Sequence, residues 1–197
     1  MIIYKEKIKG NFEHTALVDI DGVILNFQEG LRLVLEEKGV TFNPAATRTY
    51  GYDGDIGCSK EEIFAEFKNP KLYKTAPFLE RALDGLQLLN QFANTHAYTG
   101  SVDSPEVVTI REKLCNVLPF NEYSLFVGEH KGVKLPNKIK PNVVFDDCPA
   151  VINMWCSMDV PNVYVIDAPY NRDCVDERCI RMNDFYDAVV DYRDKIS

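Results

Sequence analysis

Asp19 and Asp21 stand one residue apart at the end of the apolar run Ala16-Leu17-Val18-Asp19-Ile20-Asp21-Gly22-Val23-Ile24. Residues i and i+2 of a strand share a face, so both carboxylates would emerge together where the strand meets solvent. Asp and Gly also close strands with ordinary polar turns. What gives the triplet chemical meaning is three later segments that could each end a strand in polar groups: Ala97-Tyr98-Thr99-Gly100-Ser101, Gly128-Glu129-His130-Lys131 and Val143-Val144-Phe145-Asp146-Asp147. Carboxylates brought close together repel unless they are protonated or neutralised by a cation. A hard divalent ion such as Mg2+, which takes one or two carboxylates together with waters and substrate phosphate, is the natural remedy. One carboxylate near such an ion can attack phosphorus to give an aspartyl-phosphate that water then hydrolyses. A second, two residues on, is placed to protonate the leaving oxygen and later to take a proton from water. Thr99 and Lys131 could hold the remaining phosphoryl oxygens, and Gly22 would let the backbone approach the phosphate without a Cβ in the way.

These residues need a scaffold that collects strand ends. Short runs rich in Val, Ile, Tyr and Phe recur at Thr15–Ile20, Thr95–Thr99, Tyr123–Val127, Asn142–Phe145 and Asn162–Ile166, with helix-like stretches between several of them. The alternation predicts an α/β fold, a Rossmann-like parallel sheet with helices on both faces, and in such sheets ligands bind beyond the carboxyl ends of the strands. Ser104-Pro105-Glu106 opens a helix through about Asn116, Ser59 and Glu62 have the spacing of a capping box, and Gly39 sits where a helix begun near Phe27 would end. The stretch from Phe27 to Asn94 is far longer than a crossover requires. A small, mainly helical cap over residues 28–80 is therefore expected after the first strand, with residues 1–27 and 81–197 forming the core and Leu79–Phe92 its next helix.

Composition limits the partners. A hydrophobic fraction of 46% and a charged fraction of 26% are those of a globular protein. The net charge of −8 argues against a broad grip on extended nucleic acid or anionic membrane while leaving room for a local phosphate pocket. The first ten residues carry no long apolar stretch, so neither a secretory signal nor a membrane span is expected and the cytoplasm is the expected location. The six cysteines show no paired C-x-x-C spacing and read as mostly buried thiols. His14 and His96 read as structural, whereas His130 draws more interest for its place beside Lys131.

Taken in order, these segments resemble the four motifs of the haloacid dehalogenase-like phosphohydrolases: D-x-D-G-[VT] at Asp19–Val23, an apolar run ending in Thr99, a lysine, and the acidic pair Asp146-Asp147. The resemblance implies Asp19 as nucleophile, Asp21 as acid/base and Thr99 as phosphate ligand, with Gly100 and Ser101 beside it. It also implies Mg2+ held by Asp19, the backbone carbonyl of Asp21 and an acid of the fourth motif. Neighbouring strand residues point opposite ways, which favours Asp147 as the direct ligand and Asp146 as its support. For the third motif Lys131 stands first, Lys134 is the alternative, and Lys138 and Lys140 also compete.

A narrower resemblance, to the 5′(3′)-deoxyribonucleotidase branch, lies in Val163-Tyr164-Val165-Ile166-Asp167-Ala168-Pro169-Tyr170-Asn171-Arg172, in Asp146-Asp147-Cys148-Pro149, and in the approach from Tyr73 to Gly85. It departs in having Thr99-Gly100-Ser101 for the usual Thr-Ser-Pro, and Cys148 for an arginine. It implies a Mg2+-dependent phosphomonoesterase for 5′-(deoxy)nucleoside monophosphates, with Phe42, Tyr50, Tyr52 and Tyr73 of the cap as candidates to stack on a base. Alternatives are a phosphatase for another small phosphometabolite or a nucleic-acid end, or a non-catalytic nucleotide-binding or phosphoacceptor domain. A receiver-type phosphoacceptor places its acidic pair after the first strand and its phosphorylated Asp after the third, the reverse of the order here. The sequence sets no oligomeric state, and a dimer is compatible with it.

Overall fold

The computed structural model describes residues 1–7, 12–128, 131, 139–173 and 176–197. Seven strands form one sheet: β1 (Ile2–Glu6), β2 (His14–Val18), β3 (Ala93–Ser101), β4 (Glu122–Val127), β5 (Val143–Asp146), β6 (Asn162–Ile166) and β7 (Ile180–Met182). Their order is β1-β4-β3-β2-β5-β6-β7, and every neighbouring pair is parallel except β1 against β4. The sheet is therefore mixed rather than wholly parallel. The five expected strands are present, and β1 and β7 extend the sheet at its two edges.

The period-2 pattern of the central strands divides the core. Ala16 and Val18 face a cluster that takes in Leu86, Cys115, Val189 and Tyr192, whereas Leu17 faces Tyr98, Ile152 and Trp155 on the other side. The first of these faces is covered by α4 (Ala82–Leu89), α5 (Pro105–Val117) and α7 (Phe185–Ile196), the second by α6 (Pro149–Ser157). The helix expected over Leu79–Phe92 is shorter than that. Phe78 bridges to Leu25 and Arg81 adopts a left-handed conformation (φ 58°), so helical hydrogen bonding starts only at Ala82.

The long connection between β2 and β3 carries α1 (Phe27–Glu36), a 3-10 turn (Pro44–Ala46), α2 (Lys60–Glu66) and α3 (Pro70–Thr75) before α4. Local chemistry sets their ends. The Asn26 side chain accepts from Glu29 N (3.0 Å), Ser59 and Glu62 close a reciprocal capping box, and Asn69 accepts from Lys71 N ahead of Pro70. Gly39, at φ 73°, stops the chain two residues beyond the α1 cap. Ser104 holds the N-cap position of α5 but makes no side-chain capping bond.

Leu31, Val34 and Leu35 of α1, Phe42, Ile56, Ile63 of α2 and Leu72 and Tyr73 of α3 form a cluster of their own, which Val107 of α5 joins. Gly30 sets the spacing inside it, because a Cβ there would come 2.7 Å from Ala76 Cβ and 3.0 Å from Leu72 O. Gly30→Ala is expected to force α1 away from α3 and to cost about 1–3 kcal/mol, read as a lowered urea midpoint. An unchanged midpoint would show that this contact can relax.

Candidate active site

From β2 the chain steps outward through β3 to β4, then returns to β5 on the other flank of β2. A crevice opens where the direction of winding reverses, outside the carboxyl ends of β2 and β5. Asp19 follows the last residue of β2, Asp146 ends β5, and Asp147 comes next. Each of the three offers a carboxylate oxygen within 4.8 Å of the others, and all three residues are buried.

Gly22 accounts for part of this closeness. It turns at φ 74°, and a Cβ on it would collide with the carboxylate of Asp147. The D-x-D-G turn therefore needs glycine so that the fourth acidic segment can lie against the first.

Lys131 lies among the acids, its Nζ donating to Asp19 Oδ2 and, at 2.9 Å, to Asp146 Oδ2. Burial works against its ammonium, but the carboxylates of Asp146 and Asp19 outweigh burial and hold it charged well above its ordinary range. Burial pushes the carboxyl of Asp146 up to about 6, with Lys131 opposing the rise. Asp147 is also raised well above its ordinary range, by burial first and then by the charges of Asp19 and Asp146.

The adjacent acids are not equivalent. Asp146 is engaged by Lys131 and by the backbone N–H of Cys148 (2.8 Å). Asp147 Oδ2 accepts from the Tyr170 hydroxyl, while its Oδ1 is buried without a hydrogen-bond partner. An acceptor left in that state is costly, and a hard cation facing three carboxylates would relieve it. The residues present thus fit a divalent ion.

The other expected residues are placed less uniformly. Gly100, Ser101, Tyr50, Tyr52 and Tyr73 line a cavity of about 950 Å3 whose wall also includes Asp19, Asp21, Gly22, Lys131 and Asp147. Thr99 does not line it. Its hydroxyl is fully buried and accepts from Arg111 Nη2 at 2.5 Å. Phe42 also lies away from the cavity, packed among α1 to α3 with its ring 6.3 Å from that of Tyr52.

Tyr50 packs edge-on to Tyr170 (5.6 Å), and Tyr73 anchors its hydroxyl on Phe67 O (3.0 Å). Lys140 is exposed, and Lys134, Lys138, His130 and Cys174 lie outside the described residues. His14 bonds Tyr192 and His96 bonds Ser124, each at 2.8 Å. Cys115, Cys148 and Cys156 are buried, Cys58 and Cys179 half-buried, and all five are free thiols.

Three supporting residues had no role assigned from the sequence. Arg111 is fully buried and donates to Asp21, Thr99 and the Gly100 carbonyl. Its sequence signal is a charge at the middle of a four-residue repeat, Val107-Arg111-Cys115, whose other members are core residues. Asn171 donates from Nδ2 to the carbonyls of Asp147 and Ile166, both at 2.9 Å, tying the ends of β5 and β6 together. Tyr170 orients Asp147. Both belong to Pro169-Tyr170-Asn171-Arg172, which the sequence marked only by resemblance.

No protein-family model matches the chain, and no curated protein matches it. Solved structures do. A haloacid dehalogenase-like family hydrolase from Streptococcus pneumoniae superposes with a TM-score of 0.59 at 13% identity, covering 91% of this chain and 98% of its own. CbbY from Rhodobacter sphaeroides, in complex with phosphate, gives 0.54 at 14% identity over 90% of this chain and 99% of its own. The hydrolase YfnB from Bacillus subtilis, bound to magnesium, gives 0.54 at 14% identity over 90% and 97%. The chain has the fold of the haloacid dehalogenase-like hydrolases. Among the described residues, no helix is long and apolar enough to cross a membrane.

Gly22→Ala is expected to displace Asp147 and to lower stability by about 1–3 kcal/mol, measured by chemical unfolding. A variant as stable as the parent would mean that the acidic pair has room to withdraw.

Proposed function

We propose that the protein is a Mg2+-dependent phosphomonoesterase that works through an aspartyl-phosphate, with 5′-(deoxy)nucleoside monophosphates as its substrates. The observation that carries this reading is the meeting of the Asp19, Asp146 and Asp147 carboxylates with the Lys131 ammonium at the switch point of the sheet. Residues 28–80 act as the cap over a core of residues 1–27 and 81–197, and the cytosol is the proposed location. The phosphate complex of CbbY and the magnesium bound to YfnB, two proteins of the same fold, are consistent with this chemistry.

Asp19 attacks phosphorus, forming a carboxylate O–P bond as the bond to the leaving oxygen breaks. Asp21, two residues on, gives its proton to that oxygen, then takes one from the water that cleaves the acyl phosphate and frees Asp19. Lys131 keeps a positive charge beside the reacting carboxylate, and Gly100 and Ser101 form the wall where phosphoryl oxygens would lie. Thr99, expected to bind the phosphate directly, is instead buried outside the cavity, where its hydroxyl holds Arg111. Asp19, Asp147 and the backbone carbonyl of Asp21 would hold Mg2+, with Asp146 supporting through Lys131. When bound, the ion neutralises the phosphate against the acidic cluster.

The nucleotide assignment rests on the cavity. Its volume of about 950 Å3 accommodates more than a phosphate, and Tyr50, Tyr52 and Tyr73 offer aromatic surface on the cap side. Phe42, enclosed in the cap cluster, supports Tyr52 and does not reach a substrate.

Asp19→Asn is expected to abolish turnover of every phosphomonoester while the protein stays folded, because an amide is neither an anionic nucleophile nor a strong metal ligand. Chelation by EDTA should remove activity and Mg2+ should restore it; activity indifferent to exhaustive chelation would rule out the metal. Among single alanine variants at Tyr50, Tyr52 and Tyr73, loss of a stacking ring should raise KM for nucleotides about tenfold, for stacking worth about 1–3 kcal/mol, and leave p-nitrophenyl phosphate hydrolysis nearly unchanged. If the parent prefers sugar phosphates to every nucleotide, the substrate belongs to the other class of small phosphometabolites.

A further inference from the structure

Asp21 differs from the other acids in how it is held. Its Oδ1 accepts from Arg111 Nη1 at 2.5 Å, and its Oδ2 takes no hydrogen bond from the described residues. The residue lines the cavity and its side chain remains 28% exposed. One oxygen is thus anchored from below while the carboxylate keeps an open side.

The anchor is built with unusual care for a group so deep in the protein. Arg111 projects from α5 with no exposed surface, and its Nη2 also donates to Thr99 Oγ1 (2.5 Å) and Gly100 O (2.9 Å) at the end of β3. A guanidinium is a rigid planar fork, so contacts with β3 on one arm fix the direction of the other. The ring of Tyr73 lies over the guanidinium carbon at 5.2 Å and helps close this site from the cap side. Arg111 Nε is buried without a partner, a cost that a side chain serving only the core would avoid by being apolar.

We propose that Arg111 is a positioning residue that aims the carboxylate of Asp21 at the leaving oxygen. The inference rests on the phosphatase reading given above. A general acid works only within hydrogen-bond reach of its target, and Asp21 lies beyond the last residue of β2, where the sheet no longer fixes it. Arg111 replaces that constraint by linking the turn after β2 to the end of β3. It touches neither phosphate nor leaving group.

The consequence is separable from general damage because proton donation matters only when the leaving group needs a proton. Phenyl phosphate and 2,4-dinitrophenyl phosphate are similar in shape, but phenolate requires protonation and dinitrophenolate does not. The test compares kcat/KM on these two esters for the parent, Arg111→Lys, Arg111→Met and Asp21→Asn in Mg2+. This ratio reports the steps through departure of the leaving group.

The expected result is a loss on the order of 10²-fold for phenyl phosphate in both Arg111 variants, the scale set by a small misplacement of a catalytic group, with little change for the dinitrophenyl ester. Asp21→Asn should show the same selectivity, and adding Arg111→Met to it should cost little more, since residues acting as a unit are not additive. Arg111→Lys keeps the charge and most of the volume, and it decides the matter if Arg111→Met does not fold. Equal losses on both esters would show that Arg111 is merely structural and overturn the inference, as would full retention on both. A parent inactive on every phosphomonoester would instead overturn the phosphatase reading itself.

Discussion

Repulsion among carboxylates governs this molecule. Asp19, Asp21, Asp146 and Asp147 gather beyond β2 and β5, and among the described residues two buried cations face them, Lys131 against Asp19 and Asp146 and Arg111 against Asp21. Asp147 has no such ion pair and is held by a tyrosine hydroxyl and by its main-chain link to Asn171. The imbalance leaves Asp147 without a cation of its own and with one unmatched buried oxygen, Oδ1. Much of the surrounding structure serves to keep the groups from separating. The glycine turn after β2 admits Asp147, Asn171 ties β5 to β6, and α5 brings a guanidinium up beneath the end of β3. A site assembled against its own repulsion fits a cation, as the proposed function requires.

The sheet was readable where strands buried on both faces appear as short apolar runs, as in Val143-Val144-Phe145 of β5 and Val163-Tyr164-Val165-Ile166 of β6. Its edges were not. In β1, lysine and glutamate share the strand with isoleucine and tyrosine because an edge strand faces solvent, and β7 is only three residues long. The helix before β3 was overextended because Leu79 and Glu80 fit its pattern, whereas tertiary pairing of Leu25 with Phe78 delays its start.

The acids of the site stood out for the same reason the inner strands did: they interrupt apolar runs at strand ends. Arg111 was missed because a charged residue in a helix ordinarily marks a solvated face, and its burial follows from partners more than ten residues away in sequence, Asp21 and Thr99. Spacing alone likewise left Phe42 equal to its neighbouring tyrosines, and only packing separates a ring enclosed by α1 to α3 from rings on the cavity wall.

The cluster formed by α1, α2 and α3 includes Val107 of α5, with Val102 and Ile110 packed against it. Beside Val107 and Ile110 on the same helix stand Arg111 and Cys115, the latter in the main core. The insertion and the sheet therefore share a helix instead of meeting across a slippery polar boundary. Peeling the insertion away would expose aliphatic surface on α5 and strip the cover from a buried guanidinium, penalties that fall on both halves together. Thermodynamically, the two halves are coupled into one cooperative unit, and heat should melt them in a single transition.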